Sequence, residues 1–295
     1  MHLNTITTVT PNSNPNCLYL LDSNANVPSG ITADTHNIIK GNVANTIRLT
    51  DGYDFYTPID FTAQTITYKR TITNGYDPSN NGGWTTICLP FNVTRVSAEG
   101  NNIDWFHSAT DEGKNFWLMA FSSDGSDMVS FDYANYLEAN KPYIITVPGD
   151  TWGNEWKLAG KELTFTGQDV NIQSEVTAVM SGDYFKLYGT RKSKTDTGIF
   201  KLNEAGTNFV LSQNSQTVEP FRAFFAPTGY GHGTHYVAIS FISDNTTALI
   251  GTQFRQKAET GAIHNLQGVK VGTADQKGSL PKGIYIFNGK KYIIK

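Results

Sequence analysis

The sequence predicts an all-β protein: an antiparallel β-sandwich, jelly-roll or Ig-like, followed by a small C-terminal three-stranded β module. Composition is the first reason. Of the 295 residues, 39% are hydrophobic, 12% aromatic and only 17% charged, a balance that suits half-buried strands and polar turns better than helices, whose outer faces need many Glu, Lys and Arg. Periodicity is the second. Between Phe61 and Ile72, the apolar Ile66, Tyr68 and Ile72 alternate with Thr65, Thr67, Lys69 and Thr71, which gives one apolar face and one polar face. Spacing is the third: candidate strands of about five to eight residues recur along the chain, each closed by Gly, Asn or Pro, the pattern of a sandwich or barrel rather than of alternating βα units.

A chain of this length has room for one large β-domain or two smaller ones with a sizeable core. Residues 1–60 read as a lead-in with short strands, 61–243 as the main sandwich, 244–261 as a linker and 262–295 as a C-terminal hairpin module. In the lead-in, Cys17-Leu18-Tyr19-Leu20-Leu21, Asn37-Ile38-Ile39 and Thr46-Ile47-Arg48-Leu49 are short apolar pieces, and Gly41-Asn42 and Asp51-Gly52 mark turns. The main domain is organised around Gly83-Trp84-Thr85-Thr86-Ile87-Cys88-Leu89-Pro90-Phe91-Asn92-Val93. With a period of two, Ile87, Leu89, Phe91 and Val93 share one face while Trp84, Thr86 and Cys88 share the other, so this strand is expected between two layers. Pro90 cannot donate to a ladder and should mark a bulge or the loss of a neighbour.

Further strands are expected at 115–121, 128–133, 142–147, 163–172, 184–188, 199–202, 209–211, 221–226 and 236–242. Thr247 to Glu259 carries the best helical pattern, but Gly251 interrupts it and no apolar face persists, so it is assigned to the linker. In the C-terminal module, Gly283-Ile284-Tyr285-Ile286-Phe287 and Lys290-Lys291-Tyr292-Ile293-Ile294 flank Asn288-Gly289, a strong signal for a two-residue hairpin turn. That turn pairs Phe287 with Lys290, Tyr285 with Tyr292 and Ile284 with Ile293. The hairpin is then apolar on both faces, and Ile263 to Val271 is expected to add a third strand.

The run Gly83 to Phe91, together with Leu137-Glu138-Ala139-Asn140-Lys141-Pro142-Tyr143-Ile144-Ile145 and Glu219-Pro220-Phe221-Arg222-Ala223-Phe224-Phe225, resembles recurring landmarks of secreted and cell-surface proteins of Bacteroidetes bacteria. In those proteins such regions often follow leucine-rich repeats or other modules. The tail, Ile263-His264-Asn265-Leu266-Gln267-Gly268-Val269-Lys270-Val271 with Leu280-Pro281-Lys282-Gly283 and Asn288-Gly289-Lys290-Lys291, is similar to their C-terminal sorting modules, and departs from them at His264 and Val269, where Tyr and Arg are more frequent. The likeness covers most of residues 53–295. It implies export or attachment at the outer surface, an upstream module and signal peptide in a longer chain, and no catalytic residues.

Charge excludes some classes of partner. With 23 Lys and Arg against 26 Asp and Glu, the net charge is -3, and there is no dense basic run, so no nucleic-acid footprint is expected. No apolar stretch approaches the roughly 20 residues that a membrane-spanning helix needs.

Several motifs invite chemistry. Thr151-Trp152-Gly153-Asn154-Glu155-Trp156 places two indoles in a loop beside an amide and a carboxylate. Trp152 and Trp156 are therefore the candidate ligand-binding residues, for a glycan or a surface glycoprotein. His232 and His235 are spaced for one metal ion, but no further ligand lies nearby in sequence, so a polar turn is expected and no metal or cofactor. Ser122-Ser123-Asp124-Gly125-Ser126-Asp127 lacks the acidic spacing of a calcium loop and is expected to be a hairpin turn. Arg222, between aromatic neighbours, is placed on the polar face of an edge strand or stacked on a ring. Cys17 and Cys88 could pair in an exported protein. No nucleophile elbow, phosphate loop or metalloprotease motif is present.

Overall fold

The computed structural model describes residues 6–211, 214–229, 233–241, 262–265, 269–273, 280–287 and 290–294. The chain divides into two compact units, Met1–Ser108 with Lys114–Asp244, and Ala109–Gly113 with Asn245–Lys295. Both are built from strands, and the one helical element among the described residues is a 3₁₀ turn at Asp150–Trp152. The segment 247–259, read as linker, lies outside the described residues.

The first unit begins with β1 (Leu18–Leu21), β2 (Asn37–Lys40), β3 (Val43–Thr50) and β4 (Phe61–Thr71). Then come β5 (Thr85–Ile87), β6 (Arg95–Ala98), β7 (Asn101–Ile103), β8 (Trp105–Phe106), β9 (Phe116–Asp124), β10 (Met128–Tyr133), β11 (Tyr143–Thr146) and β12 (Glu162–Ile172). The unit closes with β13 (Val179–Ser181), β14 (Phe185–Gly189), β15 (Lys194–Asp196), β16 (Phe200–Leu202), β17 (Asn208–Leu211), β18 (Gln216–Val218), β19 (Ala223–Pro227) and β20 (Tyr236–Phe241).

One sheet has the order β1-β2-β3-β4-β12-β6-β7. Its long antiparallel ladder runs from Glu162↔Thr71 to Ile172↔Phe61, while β1 with β2 and β3 with β4 are parallel. The first three strands thus extend the same sheet as β4 instead of preceding it. A second, larger sheet has the order β13-β14-β19-β16-β17-β20-β10-β9-β11-β5, with β8 added beside β9. It curls until its last strand returns to the stretch leading into β19: Cys88 N donates to Phe221 O at 3.0 Å, and Ala223 N donates to Thr86 Oγ1 at 2.9 Å. No ladder joins β5 to β19, so a side-chain hydroxyl takes the place of a strand partner at this seam.

The two sheets form a sandwich. Ile47, Ile66, Tyr68, Val96, Leu163 and Phe165 of the first sheet join Ile87, Phe116, Leu118, Tyr143 and Ile145 of the second in one continuous core. The alternate residues Trp117, Met119 and Ile144 are also fully buried, on the other side of β9 and β11. Within the curl, Phe225 is a hub, with ring centroids 4.7 Å from Phe209, 5.2 Å from Phe121 and 6.2 Å from Phe185. Edge-to-face contacts of this kind add to the area that each ring buries.

The two-sided burial expected around Trp84 is present: Ile87, Leu89 and Phe91 join the sandwich core, and Trp84, Thr86 and Cys88 are buried as well. The regular strand is short, however. Pairing with β11 stops at Ile87, before Pro90, and Cys88 turns to Phe221 instead.

In the second unit, β21 (Ala262–Asn265), β22 (Lys270–Thr273), β23 (Gly283–Phe287) and β24 (Lys290–Ile294) form a four-stranded sheet in the order β22-β21-β23-β24. This corrects the expectation of three strands. The stretch read as one strand holds two, β21 and β22, paired antiparallel, and beside that pairing Val269 N donates to Asn265 Oδ1 and Asn265 N donates to Val269 O, each at 2.9 Å. The β23–β24 hairpin has the expected register, with Ile284↔Ile293, Tyr285↔Tyr292 and Phe287↔Lys290. Ile263 and Tyr285 are buried, whereas Ile284 and Ile293 are 36% and 55% exposed.

Candidate functional site

The period of two that carries Ile66 and Tyr68 into the core also carries Arg70 inward, although it is charged. Asp51 is supplied by the turn after β3, and Arg222 by the residue before β19. Phe221, next to Arg222, has φ +61, an uncommon backbone conformation for a side chain with a Cβ. That turn packs its ring 4.9 Å from Tyr68 and leaves Arg222 facing Asp51.

The resulting cluster joins the two sheets. Arg222 grips Asp51 through both terminal guanidinium nitrogens, Nη1 to Oδ1 and Nη2 to Oδ2, each at 2.8 Å. Tyr68 donates its hydroxyl to Asp51 Oδ1 at 2.5 Å and accepts from Arg222 Nη1 at 3.0 Å. Arg70 is more deeply placed, with 6% of its side chain exposed. It donates from Nη1 to Thr86 O at 2.8 Å and from Nη2 to Thr85 Oγ1 at 2.5 Å, and its Nε lies 3.9 Å from Asp51 Oδ2. In this way Arg70 satisfies a carbonyl on the unpaired edge of β5.

The electrostatics follow from geometry. Burial alone would raise the pKa of Asp51, but the hydrogen bonds and charge of Arg222, with Tyr68 and Arg70 behind them, hold it below the usual carboxylate value. Burial lowers the pKa of Arg222, and the hydrogen bond and charge of Asp51, together with Tyr68, more than offset this and raise it. Arg70 goes the other way: burial first, and then the neighbouring charge of Arg222, pull it down to about 10.

Beside the cluster is a cavity of about 380 Å³, bounded by the end of β4, by β5, by β16 and its following turn, and by the chain entering β19. It exists because β16 and β19 share a single pair, Phe200↔Phe225, and part beyond it. Arg70 and Arg222 line it together with Thr85, Lys201, Asn203 and Glu219. Trp84 also lines it, and its buried indole N–H has no acceptor among the described residues.

The residues singled out in the sequence fall elsewhere, with the exception of Arg222. Trp152 lies 6.1 Å from Tyr76 and 5.8 Å from Trp117, centroid to centroid, and its Nε1 donates to Tyr76 O at 3.2 Å. Trp156 follows one turn later, and both indoles are intermediate in exposure. Arg222 is neither on the polar face of an edge strand nor stacked on a ring. It is the inner half of an ion pair, because the curl of the large sheet brings it to Asp51. The loop Ser122 to Asp127 is the hairpin turn expected, closed by Gly125 N to Met128 O at 2.8 Å. Its Asp124 carboxylate accepts the backbone N–H groups of Asp183, Tyr184 and Phe185. His232 lies outside the described residues, and His235 is exposed just before β20. Among the described residues no three His, Cys, Asp or Glu side chains converge as a metal-ligand set. Cys17 and Cys88 are both free thiols, Cys88 buried. No helix among the described residues is long and apolar enough to cross a membrane.

Neither a protein-family model, nor a curated protein, nor a solved structure matches this chain.

Proposed function

We propose that the chain is a β-rich module of an exported bacterial surface protein that serves as scaffold and anchor, and to which no reaction is assigned. The observation that carries this reading is the use made of the conspicuous side chains. Arg222, Asp51, Tyr68 and Asp124 all have partners within the fold, tying sheet to sheet or strand to turn. The sequence likeness of the β5 region and of the tail to Bacteroidetes surface proteins supports export and anchoring. The test is to place the full chain behind an exported reporter in a Bacteroidetes host and ask whether the reporter becomes accessible to external protease. Accessibility that is lost when residues 262–295 are deleted supports the reading. A reporter that stays inside with the full chain present refutes it.

A second reading is a carbohydrate- or glycoprotein-binding module, and the packing of Trp152 favours it. The ring is held against Tyr76 and Trp117 yet keeps part of its surface open, so it is fixed before any ligand arrives and loses little freedom on binding. A glycan array probed with the wild type and with a Trp152→Ala, Trp156→Ala double variant tests it. Binding to one sugar class that the folded double variant loses supports it, and equal binding by both proteins refutes it.

A further inference from the structure

We propose that the cavity at the β5–β19 seam binds the carboxylate group of a small acid of about monosaccharide size, with Arg70 as the principal contact. The site is distinct from the Trp152 loop and does not depend on either reading above.

The argument begins with hydrogen-bond and charge accounting. Both oxygens of Asp51 are engaged by Arg222, and one also accepts from Tyr68. Arg70 therefore has no carboxylate of its own. It makes hydrogen bonds only to neutral acceptors, Thr86 O and Thr85 Oγ1, and the shared Asp51 stands 3.9 Å from its Nε. A guanidinium has five N–H donors, and these two hydrogen bonds leave it with donors to spare. Two guanidiniums thus line the cavity, and the one carboxylate buried with them, Asp51, lies outside its lining and is engaged by Arg222.

The rim does not cancel this excess. Glu219 reaches Arg222 only at 3.6 Å and is 62% exposed, Glu204 is exposed, and Lys201 on the same rim opposes them. Charges in solvent are screened, whereas attraction at the same separation is roughly four times larger at an effective dielectric of about 20 than in bulk water. The floor therefore determines the sign of the ligand. A planar guanidinium with spare N–H donors matches a carboxylate, and a cavity of about 380 Å³ falls within the roughly 300–1,000 Å³ range of small-molecule sites. The hydroxyl of Thr85, which accepts from Arg70 and keeps its own proton to donate, offers a polar contact to the rest of such a molecule.

The test is a titration of the ¹⁵N-labelled full chain with sodium galacturonate, with galactose and sodium succinate as parallel arms. Saturable shifts of the Thr85, Thr86 and Asn203 amides are expected with galacturonate and not with galactose, together with a shift of the Arg70 Nε–H resonance. Arg70→Lys keeps the charge but loses the planar fork, and should weaken binding roughly tenfold. Equal response to succinate and galacturonate identifies a site for free small acids, response to galacturonate alone identifies an acidic sugar, and both support the proposal. Equal shifts with galactose, no shift with either acid, or full affinity in a folded Arg70→Lys variant would overturn it. If Arg70→Lys does not fold, the Arg70 Nε–H resonance of the wild type decides: a saturable shift upholds the proposal and none rejects it.

Discussion

Replacing Asp51 by Asn removes the one carboxylate that two inward-facing guanidiniums share. Arg222, whose side chain is 13% exposed, loses a two-point ion pair, and Arg70, 6% exposed, loses the nearest opposite charge. Breaking a buried pair by removing one partner costs about 3–5 kcal/mol, because the other charge is left uncompensated. Asp51 itself is 27% exposed, so water recovers part of that, and a loss of about 2–4 kcal/mol is expected. The assay is urea unfolding of Asp51→Asn at pH 7, followed by tryptophan fluorescence. A double-mutant cycle with Arg222→Met isolates the pair, and a coupling of at least about 1 kcal/mol is expected. The pH dependence has a definite sign. The folded pKa of Asp51 is depressed, so its contribution is fully present above the unfolded carboxylate value of about 3.9 and is lost as the pH falls through the lower folded value. The gap between wild type and Asp51→Asn should accordingly narrow in acid below about pH 4. A destabilisation under about 0.5 kcal/mol at pH 7, or an additive cycle, would refute the claim that this cluster ties the sheets together.

Three further outcomes follow from the packing. Phe225→Ala empties the hub of the aromatic curl and should cost about 3–5 kcal/mol in the same unfolding assay; a loss below about 1 kcal/mol would mean that the rings repack. Asp124→Ala strips acceptors from three consecutive N–H groups, so hydrogen exchange at Asp183, Tyr184 and Phe185 should accelerate, with a stability loss of about 1–3 kcal/mol; unchanged exchange there would count against the assigned role. Burial pushes the Cys88 thiol up to about 12, and thiolate is the reactive form, so iodoacetamide should label Cys17 in the native protein well before Cys88. Equal rates would show that Cys88 is accessible.

Much of the local structure is legible in short stretches. The Asn288-Gly289 dipeptide predicts a two-residue turn and with it one pairing, and β23 and β24 have that register. Alternation from Ile66 onward marks the inward face of β4, and the double-sided apolar run around Trp84 marks a segment buried between layers. The same alternation places Arg70 inward, two residues after Tyr68, but its charge makes it look like a surface residue. The separation of Ile263 to Val271 into β21 and β22 rests on the paired hydrogen bonds between Asn265 and Val269, which the count of apolar residues alone does not reveal.

The sequence by itself determined the all-β class and most of the longer strands, since those depend on backbone preference and period-two burial acting over several residues, while short strands such as β6, β7, β13, β15 and β18 carry too few residues to show a period. Tertiary structure alone decided which strand edges meet. The parallel pairing of β3 with β4, the curl that returns β5 to β19, and the contact of Asp51 with Arg222 across 171 residues have no local signature. They join residues far apart in the chain, so they depend on how the two sheets pack and not on any short stretch.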